Sequence, residues 1–369
     1  MDLRNLTTLR IGGAAAEFVA PETRQQLIDA ARAVWVTGDD WLALGGGSNL
    51  VVADAGVPGT VIHVVTRGIE RLPGDDVTLR VQAGESWDAL VAATVEQGWA
   101  GIEALSGIPG TCGAAPIQNI GAYGQELSSS LRSIEFLDYL TGDLVVLSAA
   151  ELEFGYRRSA LKGSRAGIVI SIDLTLSENA GGLSDPIGYP QLATALGVSL
   201  GARLPLAQVR AAVLSLRGSK GMLLDPDDPD SVSVGSFFTN PIVSPEFARS
   251  LPSDVPRWPV ETDSTAAATP RVTALESYDP GRLSPAAVSV SAGVKLSAAW
   301  LIEHSGVTRG FRLPGSRAAI SSKHSLAIVN TGDATAAQVA ELARYIQTRV
   351  LGAYGVVLQP EPVLVGVHV

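Results

Sequence analysis

Residues 101–126 read GIEALSGIPGTCGAAPIQNIGAYGQE. Between positions 104 and 125 no side chain is charged, yet glycine recurs at 107, 110, 113, 121 and 124. A buried strand would show an uninterrupted branched apolar run and a helix a 3.6-residue stripe; this stretch has neither. Glycine at such density lets the backbone adopt positive φ and approach another molecule closely. Backbone N–H groups in a loop of this kind can form concave anion sites. Two readings follow: a neutral cradle for a large phosphate-bearing cofactor, or a glycine-rich crossing between buried elements.

Upstream, Trp41-Leu42-Ala43-Leu44 reads as a short buried strand that runs into Gly45-Gly46-Gly47-Ser48-Asn49, after which Leu50-Val51-Val52 reads as a second strand. A dinucleotide fingerprint needs G-x-G-x-x-G followed by a helix, and a P-loop ends in Gly-Lys-Ser/Thr; both are absent. The triple glycine is then a hairpin turn or a phosphate loop of another kind. In the second case its amides, with Ser48 and Asn49, would donate to a pyrophosphate. Arg10 beside Gly12-Gly13 reads either as a phosphate contact or as a surface ion-pair partner.

Composition narrows the classes. At 369 residues the chain is long enough for two or three domains. Mean hydropathy is +0.24, yet no uninterrupted apolar run reaches the ~18 residues of a membrane span, and the N-terminus lacks an apolar signal core. The single cysteine, Cys112, excludes an intramolecular disulfide framework and fits a reducing cytoplasm; it reads as a small buried side chain. A net charge of −10 argues against a nucleic-acid footprint but leaves room for a local basic pocket. The four histidines are scattered without ligand spacing, so no metal site is expected.

Periodicity predicts helices over 22–33 with Leu27 and Ile28 inward, from a Ser86 cap with Trp87, Leu90, Val91 and Val95 on one face, from Pro205 with Leu206, Val209, Val213 and Leu216, over 295–305, and over 335–351 closed by Gly352. Strands are expected over 60–65, 77–83, 167–176 and 325–330, with a hairpin of 134–140 and 144–147 around Thr141-Gly142-Asp143. Residues 177–204 read as irregular, 225–230 (DPDDPD) as a solvated acidic turn, 250–290 as an inserted loop, and 355–369 as two strands.

TLRIGG, LALGGGSNLVV, LSGIPGTCGAAPIQNIGAYGQEL, FGYRRS, VGSFFTNP, AAWLIEHSG and the closing LQPE, in this order, together resemble the UDP-N-acetylenolpyruvoylglucosamine reductase family, in its subclass with an extra tyrosine loop. The resemblance implies an α+β fold: an FAD-binding domain of the vanillyl-alcohol-oxidase/PCMH type in two subdomains, plus a C-terminal α+β substrate-binding domain. The implied boundaries are 1–67 with 355–369, then 68–216, then 217–354. Gly45, Gly46, Gly47, Ser48 and Asn49, together with Ser106, Gly107, Ile108, Pro109, Gly110, Thr111, Gly113, Ala114, Ile120, Gly121 and Ala122, would hold FAD. The triple-glycine loop offers no His or Cys, so the flavin would be non-covalent.

By the same resemblance NADPH reduces the flavin and leaves. UDP-N-acetylglucosamine enolpyruvate takes its place, and flavin N5 passes hydride to the enolpyruvyl methylene carbon. Charge then builds next to the carboxylate as an enolate, which needs fixed donors in a dry site and a positioned acid. Ser236 in GSFF would be the proton donor and Arg157 would pair with the carboxylate, where a planar fork suits better than Lys. Glu361 would be a second polar anchor, either protonated or paired with Arg157. Tyr123, Tyr189, Lys220, Asn240 and His304 would contact substrate. His304 stands where many relatives carry an amide, and Gln359 where a Glu is common. The expected protein is a cytoplasmic monomer of peptidoglycan precursor synthesis with no nucleic-acid or membrane partner. An oxidase of the same superfamily and a flavin-binding module without turnover are the competing readings.

Overall fold

The computed structural model describes residues 1–163, 165–179, 181–262 and 291–369. Near the N-terminus, the strands Ala15–Val19, Val57–His63 and Trp41–Leu44 form a parallel sheet in that spatial order, with the helix Arg24–Thr37 as the crossover between the outer two. That helix begins at a capping box in which Thr23 and Gln26 satisfy each other's backbone donors, and it ends at Gly38 in the left-handed conformation. Leu27, Ile28 and Ala31 are its buried face.

A second, antiparallel sheet runs Leu144–Ser148, Leu131–Asp138, Gly167–Glu178, Val77–Gln82, Ile69–Arg71, with Trp99–Ala100 paired to the far end of Gly167–Glu178. Gly167–Glu178 is central, which explains its nearly continuous buried apolar run. The two sheets share one hydrophobic core around Ile62, Val81, Trp87, Phe136 and Ile172.

Two further antiparallel sheets follow: Ser233–Ser236 with Ala327–Asn330 and Ala318–Ile320, and Ile242–Val243 with Ser291–Leu296 and Arg257–Thr262. Their core includes Phe237, Phe238, Leu301, Ile328 and the inner face of the helix Ala336–Tyr354, which Thr335 and Gln338 cap. Asp54 also accepts from the amides of Ala336 and Ala337 at 2.7 and 3.1 Å, placing a carboxylate at the positive end of the helix. The chain then returns to its beginning: Val363–Val365 pairs in parallel with Leu50–Val52. An α+β fold with the last strand on the first region agrees with the expectation.

Several local expectations are corrected. Residues 177–204 contain the helix Pro190–Leu196, whose Leu192 and Ala193 pack against Val209 and Val213 of the helix Leu206–Gly218. The predicted 295–305 helix is split: Lys295 belongs to a strand, and Ser297 caps a helix Ala298–His304 by accepting from Trp300 N. The long C-terminal helix passes through Gly352 and stops at Gly355 (φ 68°), because a helix end takes its glycine where the left-handed conformation is needed.

The tail forms one strand; its other segment crosses residues 237–239 through Thr239 N to Gln359 O and Glu361 N to Phe237 O. Arg257–Thr262 is a strand inside the expected loop, and residues 263–290 of that loop lie outside the described residues. Asp230 is buried and accepts from both the amide and the hydroxyl of Ser322, so the acidic run is partly structural.

Candidate active site

The two glycine loops interlock. Asp88, at the start of the helix Trp87–Glu96, accepts from Gly107 N at 2.6 Å while paired with Arg210 through both oxygens. Trp87 Nε1 donates to Leu105 O, and Gly110 O and Glu85 O accept from Trp87 N and Cys112 N. The loop after residue 105 is thereby laced to residues 85–88. Ser48 Oγ donates to Pro109 O at 3.0 Å, which ties the first loop to the second. A Cβ at Gly46 would sit 2.8 Å from Gly110 Cα, closer than two backbones bearing side chains tolerate. The amides of Gly46, Gly47 and Ser48 have no acceptor among the described residues, which is the geometry of a backbone anion cradle.

Beside these loops opens a cleft of about 410 Å³. Of the residues expected to hold cofactor, Gly45, Gly46, Gly47, Ser48, Asn49, Ile108, Pro109, Gly110, Thr111, Ala114, Ile120 and Gly121 line it, whereas Ser106, Gly107, Gly113 and Ala122 do not. Ser106 is fully buried and bonds its own turn through Glu103 O; Gly113 packs on Ala83 and donates to its carbonyl. Apolar walls from Leu44, Trp87 and Ile117 suit a flat ring system, and the free amides suit a pyrophosphate, so the cleft fits FAD.

Arg157, Ser236 and Glu361 line the same cleft. Arg157 occupies the left-handed region at φ 54°, on a tight turn closed by reciprocal Gly155–Arg158 backbone bonds. Its Nη2 donates to Gly121 O at 2.9 Å and its Nη1 lies 3.4 Å from Asn119 O. Nε lies 3.0 Å from Glu361 Oε1, but its N–H is not aligned on that oxygen and finds no hydrogen-bond acceptor among the described residues. The contact is an ion pair rather than an aligned charge-assisted hydrogen bond. Burial pushes the Glu361 carboxyl above the usual carboxylate range, opposed by the Arg157 and Lys162 charges. Ser236 ends its strand next to Gly235 (φ 75°), and its hydroxyl makes no hydrogen bond among the described residues.

The expected substrate residues fall into separate places. Tyr123 and Tyr189 meet edge to face at 5.8 Å, and Lys220 Nζ lies 5.5 Å over the Tyr123 ring and 2.9 Å from Gln191 Oε1. Burial, then the nearby Arg217, lowers the Lys220 pKa. Asn240 accepts from Ala298 N and lies by the half-buried Tyr156 phenol, whose ring carries Lys295 at 4.9 Å. His304 is exposed, stacked on Trp300 at 3.7 Å with Nδ1 by Trp300 O, and does not line the cleft. Arg10 is exposed at φ 54° on a neighbouring pocket.

Sequence reasoning missed Lys162, Gln118 and Arg217, all in the cleft wall. Arg217 lies in the last turn of the helix Leu206–Gly218, just where the predicted helix stops, and its side chain is buried enough to lower its pKa. Gln118 was visible only as one polar residue in the central stretch. Among the described residues no group of His, Cys, Asp and Glu could hold a metal, and Cys112 is buried. No described helix is long and apolar enough to cross a membrane.

Known proteins place this architecture. The family model for an FAD binding domain matches residues 15–148, and the model for the UDP-N-acetylenolpyruvoylglucosamine reductase C-terminal domain matches 227–365. Fold and cleft thus define an FAD-dependent oxidoreductase with a second, dedicated domain. A UDP-N-acetylenolpyruvoylglucosamine reductase of Leifsonia xyli is 58% identical over 99% of this chain and 98% of its own length. One from Saccharopolyspora erythraea is 46% identical over 97% and 93%. The crystal structure of the reductase from Thermus caldophilus superposes with a TM-score of 0.63 at 27% identity, covering 99% of this chain and 97% of that one. The chain belongs to the UDP-N-acetylenolpyruvoylglucosamine reductase family.

Proposed function

We propose that this chain reduces UDP-N-acetylglucosamine enolpyruvate to UDP-N-acetylmuramate, with NADPH as electron source, as a cytoplasmic monomer in peptidoglycan precursor synthesis. FAD, when bound non-covalently, supplies the two-electron chemistry between nicotinamide and the enolpyruvyl methylene carbon. The observation that carries the reading is the convergence of Arg157, Ser236 and Glu361, from three distant segments, on the cleft lined by both glycine loops.

Two donors of Arg157 are committed to main-chain carbonyls, which fix the guanidinium plane. The remaining edge carries positive charge to the substrate carboxylate and stabilises the enolate in a site of low dielectric. The Ser236 hydroxyl, free of protein acceptors among the described residues, gives its proton to the carbon that bears the carbanion. Glu361 anchors the same group; its raised pKa lessens the negative charge it sets against the enolate.

Segments 45–49, 108–111 and 120–121, with Ala114, hold the flavin, while Ser106, Gly107, Gly113 and Ala122 shape those loops without lining the cleft. Tyr123, Tyr189 and Lys220 hold the nucleotide diphosphate sugar, with Asn240 and His304 as further contacts. Lys220 supplies a point charge for the diphosphate. The three units are 1–67 with 355–369, 68–216 and 217–354. The pairing of Val363–Val365 with Leu50–Val52 supports the discontinuous first unit.

The test is an anaerobic stopped-flow record of flavin absorbance. NADPH bleaches it, the enolpyruvyl sugar restores it rapidly, and air restores it slowly. Rapid recovery in air with none from the sugar would overturn the reading in favour of an oxidase.

A further inference from the structure

Lys162 lies five residues beyond Arg157 and belongs to none of the roles above. A turn closed by Lys162 N to Ser159 O, with Ser159 Oγ bonded to Ile117 O, carries its side chain back into the cleft wall. Its Nζ donates to Glu361 O at 3.1 Å and lies 3.4 Å from Gln118 Oε1. Asn49 Nδ2 donates to the same Gln118 oxygen at 2.8 Å and lies 3.4 Å from Glu361 O. Two donors on one amide oxygen settle the orientation of the Gln118 amide, since a flip would set NH2 against both. Its NH2 is therefore left facing Glu361 Oε1 at 3.4 Å.

We infer that Lys162 is a positioning residue for Glu361, pinning its main-chain carbonyl and turning the Gln118 amide so that its NH2 faces the carboxylate. The ammonium also acts through space. The charged groups facing the Glu361 carboxyl are Arg157 and Lys162, with the Tyr156 phenol nearby, and both cations oppose the effect of burial. Lys162 is itself half-buried, and desolvation lowers its pKa while Glu361 raises it. A residue of this kind holds Glu361 in place and sets its charge without touching the substrate.

This inference rests on the proposed role of Glu361 in the second half-reaction, and the experiment separates the two. Holoenzyme variants Lys162→Met, Lys162→Arg and Gln118→Leu are compared with the parent chain in both half-reactions across pH. A normal flavin spectrum shows that each is folded. Lys162→Met is expected to leave flavin reduction by NADPH unchanged and to slow reoxidation by the enolpyruvyl sugar about tenfold or more. It moves the pKa governing that step upward by about one unit, since a cation near a buried carboxyl is gone. Lys162→Arg restores the pKa but only part of the rate, and Gln118→Leu lowers the rate with a smaller change in pKa.

Infrared titration of the Glu361 carboxyl band, assigned with Glu361→Gln, reads the same upward shift without turnover. An unmoved carboxyl band and pH profile in folded Lys162→Met would overturn the inference while leaving the reductase reading standing. Failure of the parent chain to reoxidise with the sugar would overturn that reading instead.

Discussion

Arg157 Nε sits 3.0 Å from Glu361 Oε1, joining a left-handed turn between the second-sheet strands Leu144–Ser148 and Gly167–Glu178 to the segment that leads into the last strand. Both side chains are largely removed from solvent. The pair is held from outside: Asn119 and Gly121 carbonyls take the arginine's other nitrogens, and Lys162, Gln118 and Asn49 surround the glutamate. A buried ion pair contributes little net stability but fixes geometry, and losing one partner strands the other.

The pair predicts a pH effect on stability. The folded pKa of Glu361 is raised by burial above its unfolded value. Its contribution is therefore fully present below the unfolded pKa of about 4.5 and lost as pH rises through the folded pKa. Glu361→Gln should flatten the decline in melting temperature over that window, relative to the parent protein. An equal decline in both would remove Glu361 as its source.

Ser236→Ala should leave reduction of flavin by NADPH nearly normal and slow sugar-dependent reoxidation by ~10²–10⁴-fold, the usual scale of a lost general acid. Rapid mixing with each substrate alone separates the halves. Equal losses in both would mean that the hydroxyl is not the proton donor.

His324 offers a second titration, away from the pair. Burial first, then Lys220 and Arg309, hold its imidazole down to a pKa of about 4, with Glu303 opposing. The folded state thus binds fewer protons than the unfolded state between that value and about 6.5. Stability should fall by about 2–3 kcal/mol as pH drops through this window. His324→Gln should remove most of that acid sensitivity in thermal melts at pH 7 and pH 5. Proton NMR should show the imidazole still neutral at pH 5.

Gly46→Ala tests the loop contact. The added Cβ would lie 2.8 Å from Gly110 Cα and must push the loops apart. The expected cost is about 1–3 kcal/mol of apo-protein stability together with loss of bound flavin on gel filtration. Full flavin retention would show that the close approach is dispensable.

Thr335→Ala tests a structural cap. It removes one arm of the capping box of the helix Ala336–Tyr354 and should cost about 1 kcal/mol by thermal denaturation, with flavin binding unchanged.

The sequence alone determined those elements whose signals are local, and the chemistry of the residues its motifs carry. Ser86 starts its helix where the expected cap stands, Trp41–Leu44 and Leu50–Val52 are strands with the expected ends, and the glycine spacing of residues 101–126 marked the loop that lines the cleft. These are local properties, because capping, periodicity and φ preference act within a few residues. The family motifs also named Arg157, Ser236 and Glu361.

Only the tertiary structure decided what stands around them. Lys162 and Gln118 were silent in sequence because their role is set by distance to Glu361, and Glu361 reaches them through one strand pairing at the far end of the chain. The helix Pro190–Leu196 was missed because its stability comes from packing on Val209 and Val213 rather than from its own pattern. Long-range contacts, burial and the pKa shifts they cause exist only once the chain has closed on itself.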